Sequence, residues 1–249
     1  MEELIQLGVS ASILAGAATG LGVIPALFMK VVPHRILDSM LGFAAGVMLA
    51  ATAFSLLIPS MELGSIWMTV FGFLVGGIFV YVLDRCIPHE HVLFKGREGP
   101  SSSLSKVSLM ILAIAIHNFP EGLAVGVSFG GGDVSAGMTL ATAIGLQNIP
   151  EGSAVAFPLV REGFSRRRAA WYAILSGLIE PIGALVGVSI VGASLTLLPI
   201  GLAFAGGAMA IVVSHEMIPE SHRRGHEIEG TLGFIIGFAA MMLLDNLFD

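Results

Sequence analysis

His117-Asn118-Phe119-Pro120-Glu121-Gly122 and Gln147-Asn148-Ile149-Pro150-Glu151-Gly152 share the pattern x-Asn-x-Pro-Glu-Gly. Each hexapeptide lies in a stretch otherwise too apolar for a soluble loop. In each, a ligand-type side chain stands four residues before a glutamate. On a helix, positions i and i+4 fall on one face, one turn apart. His117 with Glu121, and Gln147 with Glu151, therefore project from one stripe of each segment. Pro120 and Pro150 lack the amide that bonds the carbonyl four residues earlier. The carbonyls of Ile116 and Leu146 are then freed, and each helix is predicted to open beside its carboxylate. A carboxylate in a membrane helix costs about 2.5–3.5 kcal/mol on insertion scales. Facing carboxylates also repel unless a cation lies between them. A chain that accepts this twice, with the same neighbours, points to cation coordination rather than to polar helix packing.

Composition places these motifs in lipid. Of 249 residues, 55% are hydrophobic and 12% charged, against about 25% charged in soluble domains. The mean hydropathy is +0.89. The chain reads as an all-α polytopic membrane protein, a single transmembrane domain over 1–249. Thirty-two glycines fit that class, because small residues let helices approach closely in lipid. Gly16/Gly20, Gly42/Gly46, Gly72/Gly76, Gly122/Gly126, Gly183/Gly187 and Gly233/Gly237 are each four apart and predict close helix pairs. Cys86 is the single cysteine, which excludes an internal disulfide and argues against thiolate metal chemistry. The N-terminus, Met-Glu-Glu-Leu-Ile-Gln, lacks a basic n-region, so the first apolar run is read as a retained helix.

About 20 apolar residues cross a bilayer. Eight crossings are predicted, over 6–29, 37–59, 64–85, 106–128, 135–160, 169–192, 196–218 and 229–248. Lys30 and Arg35 fall between the first two, and Arg85, Lys95, Arg97 and Lys106 between the third and fourth. Arg161, Arg166, Arg167 and Arg168 lie between the fifth and sixth, and Arg223 and Arg224 between the last two. These are all twelve basic residues, and alternating crossings put them on one side. The positive-inside rule makes that side the cytoplasm, so both termini are predicted to be extracytoplasmic. The other loops and the termini carry acids such as Glu2, Glu3, Glu62, Asp133 and Asp249.

The fourth and fifth crossings run in opposite directions and carry the same hexapeptide at mid-depth, which suggests a two-fold axis in the membrane plane. Gly46-Val47-Met48 with Ile58-Pro59 in the second crossing echoes Gly207-Ala208-Met209 with Ile218-Pro219 in the seventh. A 3+2+3 arrangement with an inverted repeat follows, the pattern of transporters with a midplane site. Between the third and fourth crossings runs a cytosolic loop from Cys86 to Ser105. It contains His89-Glu90-His91, two histidines able to hold a metal loosely or to be simply solvated.

The intramembrane donors are His117, Asn118, Glu121, Gln147, Asn148, Glu151 and Glu180, with His215 and Glu216 lower in the seventh crossing. Imidazole nitrogen with carboxylate and amide oxygen suits zinc and other first-row divalent ions. Two ions bridged by Glu121 and Glu151, or one ion with a protonated carboxylate, both satisfy the charges, and protons are expected to compete with metal. Met48 sits at mid-depth, where its thioether either joins the donors or packs.

These residues resemble the ZIP (Zrt-, Irt-like protein) family of divalent metal transporters, in its short prokaryotic branch. The two hexapeptides, Glu180-Pro181, His215-Glu216 and Pro219-Glu220 carry the resemblance, which spans essentially the whole chain. It implies uptake of zinc, and variably iron, manganese, cobalt or cadmium, through the plasma (inner) membrane of a prokaryote into the cytoplasm. It implies one metal position formed by His117, Glu121, Gln147 and Glu151 with Met48. A second, binuclear position is implied for Asn118, Glu121, Asn148, Glu151 and Glu180. Asn148 stands where some binuclear members have aspartate, and Gln147 where many have histidine. By the same resemblance, His215 and Glu216 lie on an exit route on which His89 and His91 receive the ion. The implied partners are divalent metal ions and the lipid bilayer, with a homodimer left open and no nucleic acid. The metal is cargo, and no catalytic cofactor is implied.

Three other readings compete. An intramembrane metalloprotease built on His215-Glu216 needs a second histidine at 219, where Pro219 stands. A proton-coupled carrier of an organic solute has use for the carboxylates but not for the His/Gln/Asn set. A metal-selective channel shares every residue with the carrier and differs only in whether both gates open together.

Overall fold

The computed structural model describes residues 1–29, 32–90, 97–103 and 106–248. Among them are eight long helices. They are α1 (Glu2–Phe28), α2 (His34–Leu63), α3 (Ile66–Cys86), α4 (Lys106–Gly130), α5 (Val134–Arg161), α6 (Arg166–Ala193), α7 (Leu195–His222) and α8 (Glu227–Phe248). Each overlaps one predicted crossing and differs from it by a few residues at the ends. Between α3 and α4, β1 (His89–Glu90) pairs antiparallel with β2 (Arg97–Glu98).

Seven of the helices are long and apolar enough to cross a membrane, and α5 is not among them. At 28 residues α5 has the length, but Gln147, Asn148 and Glu151 lower its apolarity. Its position compensates, since it packs against α1, α2, α4, α6 and α8. Neighbouring helices, rather than lipid, surround its polar stripe.

The most extensive packing is pairwise: α1 with α5, α4 with α6, α2 with α8, and α3 with α7. Glycines make these pairs possible. A Cβ on Gly122 or Gly126 of α4 would strike the backbone of Glu180 or Ala184 in α6. Gly42 and Gly46 of α2 meet Gly230 and Phe234 of α8 in the same way, and Gly76 of α3 meets Phe204 of α7. The spacing of glycines by four thus marks the contact seams, and Gly22 and Gly152 serve the α1–α5 pair. Exchanging α1 with α6, α2 with α7, α3 with α8 and α4 with α5 converts each pair into another. That relation is the one expected of two three-helix units around a central pair.

The prolines act differently from the prediction. α4 continues through Pro120, and α5 through both Pro150 and Pro158. A missing amide can be absorbed by small local adjustments when the helix is held on all sides. The irregularities fall elsewhere. Thr52–Leu57 in α2 and Val213–Met217 in α7 are π-helical turns, each just before Pro59 or Pro219. Widening the turn accommodates the proline ring and the lost donor. The two turns sit at equivalent places of the sequence echo. In α6 the chain breaks at Leu178–Ile179 and restarts at Glu180–Pro181, with proline in the first turn, where it has no amide to lose.

Three of the four basic loops meet at one end. Arg161 donates to the Val32 carbonyl and Arg166 to that of Leu27. Arg224 lies 2.5 Å from Asp38 and 2.9 Å from Glu220, and Arg35 lies 3.7 Å from Glu229. Four of the twelve basic residues therefore bridge the α1–α2, α5–α6 and α7–α8 connections.

Candidate metal site

Glu121 and Glu151 line one cavity of about 90 Å³, together with His117, Asn118, Glu216 and Glu220. The helical register places them there. His117 and Glu121 are one turn apart on α4, and Glu151 approaches from α5. Glu216 arrives on the π-helical turn of α7, whose extra residue rotates it inward. The space suffices for a cation that keeps part of its water.

The donors engage one another around this cavity. His117 Nε2 forms an ion pair with the Glu216 carboxylate. Gln147 Nε2 donates to Glu121 Oε1 at 2.6 Å. Asn148 Nδ2 donates to Glu180 Oε1 at 2.7 Å and to the Ala15 carbonyl at 2.9 Å. Asn118 Nδ2 donates to the Ser176 carbonyl at 3.0 Å. Each amide thus spends its nitrogen on an acceptor and leaves its oxygen over. Among the described residues, Asn118 Oδ1, Glu121 Oε2, Gln147 Oε1, Asn148 Oδ1, Glu151 Oε1 and Glu180 Oε2 are buried without a hydrogen-bond partner. A set of unsatisfied acceptors with no donor to serve them is what a cation offsets. Among the described residues, no three His, Cys, Asp or Glu side chains form a metal-holding group by themselves. A cation held here would need the amide oxygens of Asn118 and Gln147 as well.

The predicted residues divide accordingly. His117, Asn118, Glu121 and Glu151 meet at the cavity, with Gln147 behind Glu121. Asn148 and Glu180 bond each other and are not among the lining residues. Met48 is fully buried in the apolar core and is not among the residues that line the cavity. His215 and Glu216 separate: Glu216 is buried and faces the cavity, whereas His215 is exposed. Adjacent residues on a helix point in different directions. His89 is not solvated, being 1% exposed. Its Nδ1 donates to the Ile87 carbonyl at 2.8 Å, and its Nε2 lies 3.0 Å from Asp84 Oδ1. His91 lies outside the described residues.

Sequence reasoning passed over Asp84, Thr19 and Ser176. Asp84 left a faint signal, a carboxylate ending an apolar run just before the histidine loop. Ser176 contributes only its backbone oxygen to Asn118, which no sequence pattern reports.

Against known proteins, the family model described as ZIP Zinc transporter matches residues 95–245. The chain is 46% identical over 248 residues to the zinc transporter GufA of Myxococcus xanthus, covering 96% of this chain and 97% of that one. It is 45% identical over 247 residues to the zinc transporter ZIPB of Bordetella bronchiseptica, covering 92% and 77%. With the zinc transporter ZupT of Chlorobaculum parvum it shares 37% over 268 residues, covering 98% and 99%. These relatives are named as transporters and none as an enzyme.

Proposed function

The chain belongs to the ZIP zinc transporter family, and on that premise we propose that it carries zinc, and other first-row divalent cations, across the membrane into the cytoplasm. The ion enters from the acidic end, binds at mid-depth between α4 and α5, and leaves at the end where the basic loops meet. His117, Asn118, Glu121, Gln147 and Glu151 form the binding site, with Glu180 and Asn148 beside it. Eight crossings, α5 included, put both termini outside. The observation that carries this reading is the pair of glutamates from the repeated motif, lining one cavity with buried oxygens that lack hydrogen-bond donors.

The contacts suggest how access alternates. α1, α4, α5 and α6 pack among themselves, as do α2, α3, α7 and α8. The two groups meet chiefly along α2–α5 and α4–α7, with smaller contacts between α5 and α8, α3 and α4, and α6 and α7. The motif donors all ride on the first group, and Glu216 and Glu220 belong to the second. Displacement of the first group relative to the second hands the ion from Glu121 and Glu151 toward Glu216, the partner that His117 already holds across the boundary. A carrier of this kind moves its site between the two sides, as repeat transporters do. Saturable uptake with slow turnover separates it from a channel.

The test is uptake of radioactive zinc, manganese and iron by reconstituted protein, wild type against Glu151→Gln. Removing one ligand charge is expected to lower zinc uptake at least about tenfold. Equal uptake by the two proteins removes the site assignment, and solute flux that does not depend on metal removes the function.

A further inference from the structure

Thr19 departs from a pattern that several other helical hydroxyls follow. In an apolar helix a serine or threonine hydroxyl usually bonds the carbonyl four residues back. Thr52, Thr69, Thr142, Ser189 and Ser214 all do so here. Thr19 does not, and its Oγ1 is buried without a hydrogen-bond partner among the described residues. The cause is visible. Asn148 Nδ2 donates to the Ala15 carbonyl, the acceptor Thr19 would use. That oxygen has two lone pairs, and the helix's own amide takes the other. Thr19 is 2% exposed and lines the same cavity as Asn118, Glu121 and Glu151. Glycines hold it there: a Cβ on Gly152 would strike the Thr19 carbonyl, and one on Gly177 would lie 3.0 Å from Thr19 Oγ1. Ser12 also lacks a partner but does not line the cavity.

Four unpartnered buried oxygens therefore belong to side chains that line one space: Thr19 Oγ1, Asn118 Oδ1, Glu121 Oε2 and Glu151 Oε1. We propose that Thr19 is a metal-coordinating residue, its hydroxyl completing an all-oxygen ion position with Asn118, Glu121 and Glu151. Asn148 donates to Glu180, neither residue lines this position, and Asn148 releases Thr19 by occupying the Ala15 carbonyl. The inference rests on the cavity being the transport site. Carbonyl, hydroxyl and carboxylate oxygens suit manganese-like ions better than soft ones, whereas a thiolate reverses that preference. Thr19 thus sets the tolerance of the site for hard divalent cations.

The experiment measures manganese and cadmium uptake by the full chain in proteoliposomes, in a Cys86→Ser background. Thr19→Cys exchanges the hydroxyl for a thiol of similar size and is expected to raise the cadmium-to-manganese uptake ratio about tenfold. Thr19→Ser keeps a hydroxyl and is expected to return the ratio to its starting value. Thr19→Val keeps the shape and is expected to raise the half-saturating manganese concentration several-fold. Where the valine protein does not fold, the cysteine and serine ratios decide. Glu151→Gln is run in parallel. If it abolishes uptake while Thr19→Cys leaves the ratio unchanged, the Thr19 assignment is overturned. If Glu151→Gln itself transports as well as wild type, the underlying site reading fails instead.

Discussion

A buried carboxylate or amide is defined by its partner, and the partners here come from remote parts of the chain. His117 reaches Glu216 and Asn148 reaches Glu180; the i and i+4 stripes told which residues share a face but not which would meet. His89 shows the consequence for titration. Burial lowers its pKa, but the hydrogen bond to Asp84, the Ile87 carbonyl and the charges of Asp84 and Glu216 outweigh that, so it ends above its ordinary 6.5. Both ring nitrogens face acceptors, so the protonated ring is the one that fits. A group whose pKa rises on folding stabilises the folded form fully below its unfolded value, and that contribution is lost as pH rises through the folded value. Docking of the His89 segment is therefore expected to weaken as pH is raised from 6.5. Hydrogen exchange at Ile87 and His89 should accelerate in the wild type beyond the intrinsic pH effect. In His89→Gln this excess should vanish, and its persistence there would assign the change to another group.

At the scale of the helix, glycine spacing was the most informative signal and proline the least. Gly126 on α4 abuts the Ala184 carbonyl of α6, whereas a Cβ on Gly145 of α5 would find only Ala15 Cα at 3.6 Å and Ala18 Cβ at 3.9 Å. Gly126→Ala is expected to cost about 1–3 kcal/mol, because one helix must shift off another. Gly145→Ala is expected to be neutral or to gain up to about 1 kcal/mol from lost backbone freedom in the unfolded chain. Thermal unfolding in detergent separates the two, and a similar loss in both would mean that close approach is not what Gly126 provides. Pro120 and Pro150 left their helices continuous because surrounding helices hold them. Pro59 and Pro219 follow just after π-helical turns, and one of these turns carries Glu216. A proline in sequence reports a missing amide, and only the packing says where that is absorbed.

For the whole molecule, the division into two four-helix groups makes a mechanical prediction. A Cβ on Gly201 of α7 would lie 3.2 Å from Val127 Cγ1 of α4, across the boundary between the groups. With Cys86 replaced by serine, a disulfide between Val127→Cys and Gly201→Cys is expected to arrest zinc uptake and to release it on reduction. A Cβ on Gly77 of α3 would lie 3.4 Å from Ile211 Cγ1 of α7, inside one group. A disulfide between Gly77→Cys and Ile211→Cys is expected to leave uptake intact. Arrest by both, or by neither, contradicts movement of one group against the other.

Apolar run length, the alternation of basic and acidic loops, glycine spacing and the twice-written Pro-Glu-Gly motif are local properties. They determined by themselves the membrane class, the helices, their seams and the identity of the central carboxylates. Which acceptors share the cavity was decided by the fold, because it depends on helices far apart in the chain arriving side by side. Thr19 entered the site because Asn148 occupied the carbonyl it would have bonded, and Glu180 turned toward Asn148 rather than toward the cavity. A side chain's bonding depends on every acceptor within reach, and that reach is set by the folded chain.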